Sequence, residues 1–183
     1  MKITILNGNP DNDNTVFDSY LTSLAEVLKK EGHSTRILEL RKMKIGYCKG
    51  CFDCWVKTPG LCSVEDDSCH ICDEVIHSEL IIFASPIIMG FTSALLKKAN
   101  DKLIPLIHYK IELVENEYHH LARYPEYPYT SLLVSIEEDT DEEDLNIITE
   151  IYRRDAINFK TKFAFAKTTD DPIDEVVYEI SNI

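Results

Sequence analysis

The stretch Leu80-Ile81-Ile82-Phe83-Ala84 is apolar at every position and is followed by the turn-forming pair Ser85-Pro86. A short, continuous apolar run that ends in turn residues is typical of a strand buried on both faces of a parallel sheet. We therefore predict that residues 80–84 form the central strand of an α/β protein.

Segments of alternating strand and helix character lie on both sides of this run. The other predicted strands are Lys2–Asn7, Ser34–Leu40, Ser131–Ile136 and Thr161–Lys167. The predicted helices are Thr15–Glu31, Asp67–Ser78 (capped by the acid at its start), Thr92–Leu103, Asp141–Asn158 and Pro172–Ser181. Such alternation predicts a five-stranded parallel sheet with helices on both faces. We expect one domain over residues 1–183, with a Cys-rich loop at about 45–66 and an irregular excursion at about 105–130.

Composition excludes several classes of function. The chain has 19 Lys and Arg against 32 Asp and Glu, so the net charge is −13. Such a surface repels nucleic acid and anionic membranes. The start of the chain turns polar at Asn7, too early for a secretory signal, and the apolar stretch 80–91 is too short to span a bilayer. We expect a cytoplasmic protein whose six cysteines are metal ligands, redox groups or small buried residues rather than disulfides.

The loop after the first strand reads Asn7-Gly8-Asn9-Pro10-Asp11-Asn12-Asp13-Asn14-Thr15 and leads into a helix. A strand, a small polar loop and a helix N-terminus present backbone N–H groups and a positive dipole end, which suit a phosphate. The candidate contacts are Asn9, Asn12, Asn14 and Thr15. A plain turn that caps a helix remains the alternative, and Asp11 and Asp13 bring negative charge to the loop.

The loop after the central strand, Ser85-Pro86-Ile87-Ile88-Met89-Gly90, is apolar and contains Pro and Gly. At the carboxyl edge of a parallel sheet, where ligands bind, such a loop offers an apolar platform for a flat ring. A packed turn that enters a helix is the alternative. The candidate ring contacts are Pro86, Ile87, Ile88, Met89 and Gly90.

A cysteine cluster follows the second strand. Cys48, Cys51 and Cys54 are separated by two residues each, and Cys62 follows the turn Pro59-Gly60. Four thiolates in a tight loop suit an iron–sulfur cluster or, less well, zinc. Reduced thiols whose spacing serves only packing remain an alternative. Cys69 and Cys72 fall on the apolar face of a predicted helix, where small buried residues are expected.

Together these three loops resemble the NADPH-dependent FMN reductase-like branch of the flavodoxin-like superfamily, and more narrowly its iron–sulfur flavoprotein relatives. The matching motifs are Asn7-Gly8-Asn9-Pro10 with Asn14-Thr15, Cys48-x-Gly-Cys51-x-x-Cys54-Trp55 with Cys62, and Ser85-Pro86 with Gly90. The resemblance implies a three-layer flavodoxin-like fold with a five-stranded parallel sheet of order 2-1-3-4-5.

The resemblance also implies a function. Asn9, Asn14 and Thr15 would hold the phosphate of FMN, residues 86–90 would line its ring, and the four cysteines 48, 51, 54 and 62 would ligate a 4Fe-4S cluster. The implied activity is that of an NAD(P)H-dependent, FMN-dependent oxidoreductase or electron-transfer flavoprotein. The donor would be NAD(P)H or a ferredoxin-like protein, no protein acid or base would be required, and the chain would form a homodimer or homotetramer.

A second hypothesis is a binding or scaffold protein, stabilised by zinc or a cluster, on a degenerate flavodoxin fold without flavin. The acidic run Glu137-Glu138-Asp139 after the fourth predicted strand agrees with that hypothesis, because the family often has a Gly-rich loop there. The pair His119-His120 is expected in a surface loop, and a place for one of them at the flavin or at a subunit contact, with Tyr127 stacking, is the alternative.

Overall fold

Eight strands and six α-helices follow one another along residues 1–183, all of which the computed structural model describes. The strands are β1 (Lys2–Asn7), β2 (Ser34–Glu39), β3 (Leu80–Ile88), β4 (Phe91–Thr92), β5 (Ile107–Val114), β6 (Glu117–Ala122), β7 (Tyr129–Ser135) and β8 (Phe163–Thr168). The helices are α1 (Thr15–Lys30), α2 (Asp53–Val56), α3 (Ser68–Ile76), α4 (Ala94–Asp101), α5 (Glu142–Asn158) and α6 (Ile173–Ser181).

The five predicted strands are β1, β2, β3, β7 and β8, and they form one parallel sheet. Its order is β2-β1-β3-β7-β8, so the predicted central strand does lie in the middle. The numbers differ from the predicted 2-1-3-4-5 because three further strands precede the fourth parallel strand in the chain. The short β4 pairs with the end of β3 in antiparallel fashion.

The sheet is covered on both faces, as the apolar sequence of β3 requires. Alternate residues of β1 point to opposite sides: Ile3 and Ile5 belong to the core under α1 and α6, whereas Leu6 belongs to the core under α3, α4 and α5. β3 divides in the same way, with Ile82 on the first side and Phe83 on the second. The result is the predicted three-layer arrangement.

The segment predicted to be an irregular excursion contains a β-hairpin, so that prediction was wrong in part. β5 and β6 pair with each other and form a separate two-stranded sheet. Their turn residues Glu115 and Asn116 have φ of 52° and 65°, the left-handed backbone that a two-residue hairpin turn requires. The hairpin escapes prediction because its turn contains no glycine.

The hairpin also places one histidine in the interior. His119 is buried, with Asn158 Oδ1 3.2 Å from its Nδ1 and Glu117 Oε2 3.1 Å from its Nε2. The expected surface position is therefore wrong for His119. His120 is half-buried, and its ring lies 5.1 Å from that of Trp55.

Of the five predicted helices only α1 begins at the predicted residue, and the other four begin one or two residues later. The helix predicted at 92–103 begins at Ala94, because Phe91–Thr92 is β4 and the Ser93 hydroxyl accepts a hydrogen bond from the Leu96 amide. Asp67 does not cap α3 with its side chain; its carboxylate accepts from the Lys44 amide instead. None of the helices combines the length and apolar character needed to cross a membrane.

A tight contact joins the loop after β1 to β3 and α4. The Gly8 amide donates to the Ala84 carbonyl at 2.7 Å, and the Gly8 carbonyl accepts from the Ser93 hydroxyl at 2.5 Å. A Cβ atom added at Gly8 would lie 2.5 Å from Leu96 Cβ and 3.1 Å from the Ala84 oxygen. Only glycine lets the three segments approach so closely.

We expect Gly8→Ala to lower the free energy of unfolding by about 3 kcal/mol, since overpacking of a well-packed site costs this much. Urea unfolding followed by circular dichroism measures the change. Gly32→Ala is the control: a Cβ there meets no atom within 4 Å, so only the left-handed backbone at φ +89° is penalised. A loss at Gly8 no larger than the loss at Gly32 would contradict the clash.

Candidate functional site

An open cleft of about 270 Å³ lies at the carboxyl edge of the sheet, between the loops that follow β1, β3 and β7. This is the edge at which parallel α/β sheets bind ligands. Its lining residues are Asn9, Pro10, Asp11, Asn14, Pro86, Ile87, Ile88, Ser135, Ile136 and Glu137. The structure thus brings together two of the predicted loops and adds the loop after β7.

The loop after β1 is held by its own asparagine. Asn9 is fully buried, and its Nδ2 donates to the Asn14 carbonyl at 3.1 Å while its Oδ1 accepts from the Asp11 amide at 3.0 Å. The side chain of Asn9 therefore fixes the shape of the loop. A contact from Asn9 to a phosphate stays a prediction.

The other predicted phosphate contacts lie around the start of α1. The Asn14 Oδ1 accepts from the Phe17 amide at 3.3 Å, so Asn14 is the N-cap of the helix. Asn12 and Thr15 are exposed, and no hydrogen bond of the loop occupies the Thr15 hydroxyl. These two side chains are free to contact a ligand at the helix N-terminus.

The ion pair of Arg41 with Asp18 contacts this loop, and it was not predicted from the sequence. Arg41 Nη2 donates to Asp18 Oδ2 at 2.7 Å, and Arg41 Nη1 lies 3.3 Å from the Asn9 carbonyl oxygen. Asn7 and Asn9 also donate to Asp18 Oδ1. Burial alone would raise the pKa of Asp18, but the hydrogen bonds from Arg41, Asn7 and Asn9 outweigh it and lower the pKa below its ordinary value of 3.8. No pattern in the sequence around Arg41 marks this contact; the pairing of β2 with β1 brings Arg41 beside the loop.

The loop after β3 presents apolar side chains to solvent. Pro86 and Ile87 are buried, whereas Ile88 is 40% exposed and Met89 is 94% exposed. Ile136, from the loop after β7, is 41% exposed. The carboxyl edge of the sheet therefore carries an apolar platform, defined here as Ile88, Met89 and Ile136.

The platform is tied to the acidic loop after β7. Met89 has φ of 53°, and its amide donates to Glu137 Oε2 at 3.1 Å. Gly90 follows with φ of 73°. Glu137 of the acidic loop therefore holds the backbone of the loop after β3, whereas Glu138 and Asp139 are exposed.

The four predicted ligand cysteines surround one small cavity. Cys48, Cys51, Cys54 and Cys62 all border it, together with Lys102. Cys54 is buried, and burial first, then the neighbouring thiols of Cys62, Cys48 and Cys51, raise its pKa. The loop is therefore folded so that the four thiols face a common space. No three His, Cys, Asp or Glu side chains are grouped so that they could hold a single metal ion.

A buried lysine contacts this cysteine cluster, and the sequence analysis missed it as well. Lys102 Nζ lies 3.1 Å from Cys62 Sγ and 3.1 Å from Asp66 Oδ2. Burial lowers the pKa of Lys102, but the bonds to Cys62 and Asp66 outweigh this and raise it. Burial would raise the pKa of Asp66, but hydrogen bonds from Ser68, Gly46 and Lys102 lower it to about 2.

The two remaining cysteines lie on α3, outside the ring of four. Cys72 is buried as predicted, and burial raises its pKa to about 12. Its Sγ donates to the Lys102 carbonyl at 3.3 Å. Cys69 is partly exposed. Cys72 thus matches the expected small buried residue, and Cys69 does so only in part.

We expect Asp18→Asn to lower the free energy of unfolding at pH 7 by about 2 kcal/mol, because hydrogen bonds to a charged group contribute on this order. The folded-state pKa of Asp18 is lowered, so its contribution is complete above the ordinary value of 3.8 and is lost as the pH falls through the lowered one. Urea unfolding at pH 7 and below pH 3.8 should show the difference between variant and parent shrinking in acid.

Asp13→Asn is the matched control, since Asp13 is an exposed acid in the same loop. It should change stability by less than about 0.5 kcal/mol at either pH. A loss for Asp18→Asn that is equally large in acid would show that the charge of Asp18 is not what stabilises the loop.

Comparison with known proteins agrees with this geometry. Residues 1–135 match the sequence model of the family described as NADPH-dependent FMN reductase. An iron-sulfur flavoprotein from Archaeoglobus fulgidus is 32% identical over 102 residues, which cover 56% of this chain and 48% of that protein. The chain spans about half the length of the curated relatives it matches.

Solved structures share the fold. The NAD(P)H:quinone oxidoreductase from Methanothermobacter marburgensis has a TM-score of 0.63 at 16% identity, over 92% of this chain and 84% of that one. An FMN-dependent NADH-azoreductase from Bacillus anthracis, solved in complex with FMN, has a TM-score of 0.61 at 12% identity, over 99% and 94% of the two chains. These likenesses confirm the predicted flavodoxin-like fold class.

The family match covers most of the chain, including all three loops on which the predicted resemblance depends. The resemblance is thereby confirmed: this protein belongs to the NADPH-dependent FMN reductase family.

Proposed function

We propose that this protein is an FMN-dependent oxidoreductase that takes electrons from NAD(P)H and relays them through an iron–sulfur cluster. The observation that carries the proposal is the apolar platform, Ile88, Met89 and Ile136, exposed beside a helix N-terminus at the carboxyl edge of the sheet. When bound, FMN accepts a hydride or two electrons and releases electrons singly. The other parts of the proposal concern what this chain's own residues do.

The platform fits an isoalloxazine ring. Large apolar side chains exposed together around a cleft are uncommon on a soluble surface and mark a binding site. A flat ring laid on Ile88 and Met89 would remove their side chains from water. The backbone of the loop, fixed by the bond from the Met89 amide to Glu137, would supply the polar edge contacts.

The start of α1 fits the phosphate. A helix of 16 residues concentrates a partial positive charge at its N-terminus. The exposed side chains of Asn12 and Thr15 add donors there. The cleft also contains the acids Asp11 and Glu137, so a phosphate must be held by N–H and O–H groups rather than by cationic side chains. Asp11 and Glu137 each accept a backbone N–H, which offsets part of their charge.

The ring of four cysteines fits a cluster better than zinc. Tetrahedral zinc would hold its four sulfurs about 2.3 Å from one point, hence about 3.8 Å from each other. In a four-iron cluster each thiolate binds a different iron, so the thiolates stand further apart around a larger space. Four cysteines that border one cavity support a metal group here, and the relatives named iron-sulfur flavoproteins favour a cluster over zinc.

The proposal extends to assembly and location. Tyr109, Ile111, Leu113 and Tyr118 expose 49%, 57%, 62% and 75% of their surface on the β5–β6 hairpin. Such a patch favours the expected homodimer or homotetramer. A cytoplasmic location belongs to the proposal as well, because cysteines that serve as ligands or small buried residues need a reducing compartment. A ferredoxin-like protein remains an alternative electron donor.

We expect Thr15→Asp to weaken the binding of FMN at least about tenfold, or about 1.4 kcal/mol, because a carboxylate at the helix start would repel the phosphate. The same variant should bind riboflavin, which has no phosphate, as tightly as the parent. An acid in the first turn stabilises a helix, so folding is preserved. Quenching of flavin fluorescence measures both affinities.

Ser19→Asp is the matched control, because Ser19 is exposed one turn further along the same helix. It should leave both affinities within about twofold of the parent. If Thr15→Asp weakened FMN and riboflavin equally, the phosphate would not lie at the start of α1. If the parent bound neither flavin, the scaffold hypothesis without flavin would take its place.

We expect protein purified without oxygen to show flavin bands and about four irons per chain. Cys51→Ser should lose the iron and the broad absorbance of the cluster while keeping the flavin, since it removes one of four ligands. Iron, zinc and sulfide assays on the same sample measure the change. Cys69→Ser, outside the ring of four, should keep the iron. Equal iron content in both variants and the parent would exclude this ligand set.

A further inference from the structure

We propose that Lys102 is a positioning residue that raises the reduction potential of the cluster by placing its ammonium group on Cys62. The inference rests on the cluster of the proposed function. It concerns a residue of this chain that binds neither flavin nor iron.

The side chain of Lys102 is buried although it carries a charge. Its side chain is 2% exposed, and lysine is almost never fully buried unless it is paired. The partners are few: Nζ contacts Cys62 Sγ and Asp66 Oδ2, both at 3.1 Å. The backbone of Lys102 is held as well. Its amide donates to carbonyls in the last turn of α4, and its carbonyl accepts from Cys72 Sγ.

The ammonium group of Lys102 acts on two groups. The Asp66 carboxylate, itself 3% exposed, accepts from the Gly46 amide at 2.9 Å and from the amide and hydroxyl of Ser68, and Lys102 supplies the cation that pairs with its buried charge. The same ammonium lies 3.1 Å from Cys62 Sγ. The sulfur of Cys62 is therefore the second group that the charge of Lys102 stabilises.

The effect of this contact on a bound cluster has a definite sign. A cluster held by four thiolates is negatively charged, and reduction adds one more negative charge. A buried cation stabilises the reduced form more than the oxidised form, and an N–H donor to a ligand sulfur acts in the same direction. Lys102 therefore raises the potential, and the Asp66 carboxylate beside it counteracts part of that rise.

The test is a redox titration of the intact, anaerobically purified protein, with dithionite, mediator dyes and the paramagnetic signal of the reduced cluster. We expect Lys102→Met to lower the midpoint potential so that the ratio of reduced to oxidised cluster at a fixed potential falls about tenfold, or about 59 mV for one electron. Lys102→Arg, which keeps the charge, should stay close to the parent.

Two further variants distinguish an electrostatic effect on the reduction potential from an effect of altered structure. Asp66→Asn removes the opposing carboxylate and should raise the potential, a shift opposite in sign to that of Lys102→Met. Lys49→Met removes the same charge from the border of the same cavity, but Lys49 is exposed, so solvent screens it. It should change the ratio less than about twofold.

The outcomes distinguish this inference from the proposed function. Iron present, with the same potential in Lys102→Met and the parent, would overturn the role of Lys102 and leave the cluster in place. Absence of iron from the parent would overturn both. If Lys102→Met takes up no cluster, Lys102→Gln, which keeps a hydrogen-bond donor without the charge, decides: a lowered potential supports the inference, and an unchanged or raised one overturns it.

Discussion

The contact at Gly8 is the constraint on which the arrangement of the cleft depends. The loop after β1 passes so close to β3 and α4 that a single Cβ atom would overlap Leu96. The Ser93 hydroxyl is bonded to Gly8 on one side and to the Leu96 amide on the other, and Ser85 Oγ accepts from the Ser93 amide. The loop after β1, the loop after β3 and the start of α4 are therefore one packed unit. Two of the three loops that line the cleft are thus held in place relative to each other.

Two cations of this acidic chain lie against its candidate functional loops. Among its ion-paired cations, Lys102 and Arg41 have the least exposed side chains, at 2% and 13%. One lies against the loop of cysteines and the other against the loop after β1. A buried charge acts over a low dielectric, whereas the many exposed acids are screened by water and salt. The net charge of −13 therefore does not predict the electrostatic potential inside either site.

The parallel sheet with helices on both faces could be predicted because it follows from periodicity and burial, whereas the strand order was implied by the family resemblance. The continuous apolar run at 80–84 can be satisfied only in the middle of a covered sheet, and the amphipathic α1 must cover one face of it. The four cysteines were predicted as a set because their spacing in the chain is itself the signal. These features need only local sequence.

The missed features depend on partners far apart in the chain. Lys102 reaches Cys62 across 40 residues, and Arg41 reaches Asp18 across 23. Nothing in the sequence around either cation marks it as buried. The hairpin was missed for a different reason: Glu115 adopts a left-handed backbone that its residue type seldom takes. Tertiary pairing of β5 with β6 holds it there against its local preference.

The indole of Trp55 joins the cysteine loop to residues that are synthesised later than the loop itself. Its Nε1 donates to the carbonyls of Ile104 and Ile107, both at 3.1 Å, and its ring lies 5.1 Å from that of His120. The 58 residues from Cys62 to His120 take several seconds to synthesise, at about 5–20 residues per second. The contacts that hold the cysteine loop through Trp55 can therefore form only seconds after the cysteines themselves have been made, so the loop is among the last parts of this face to take its final arrangement.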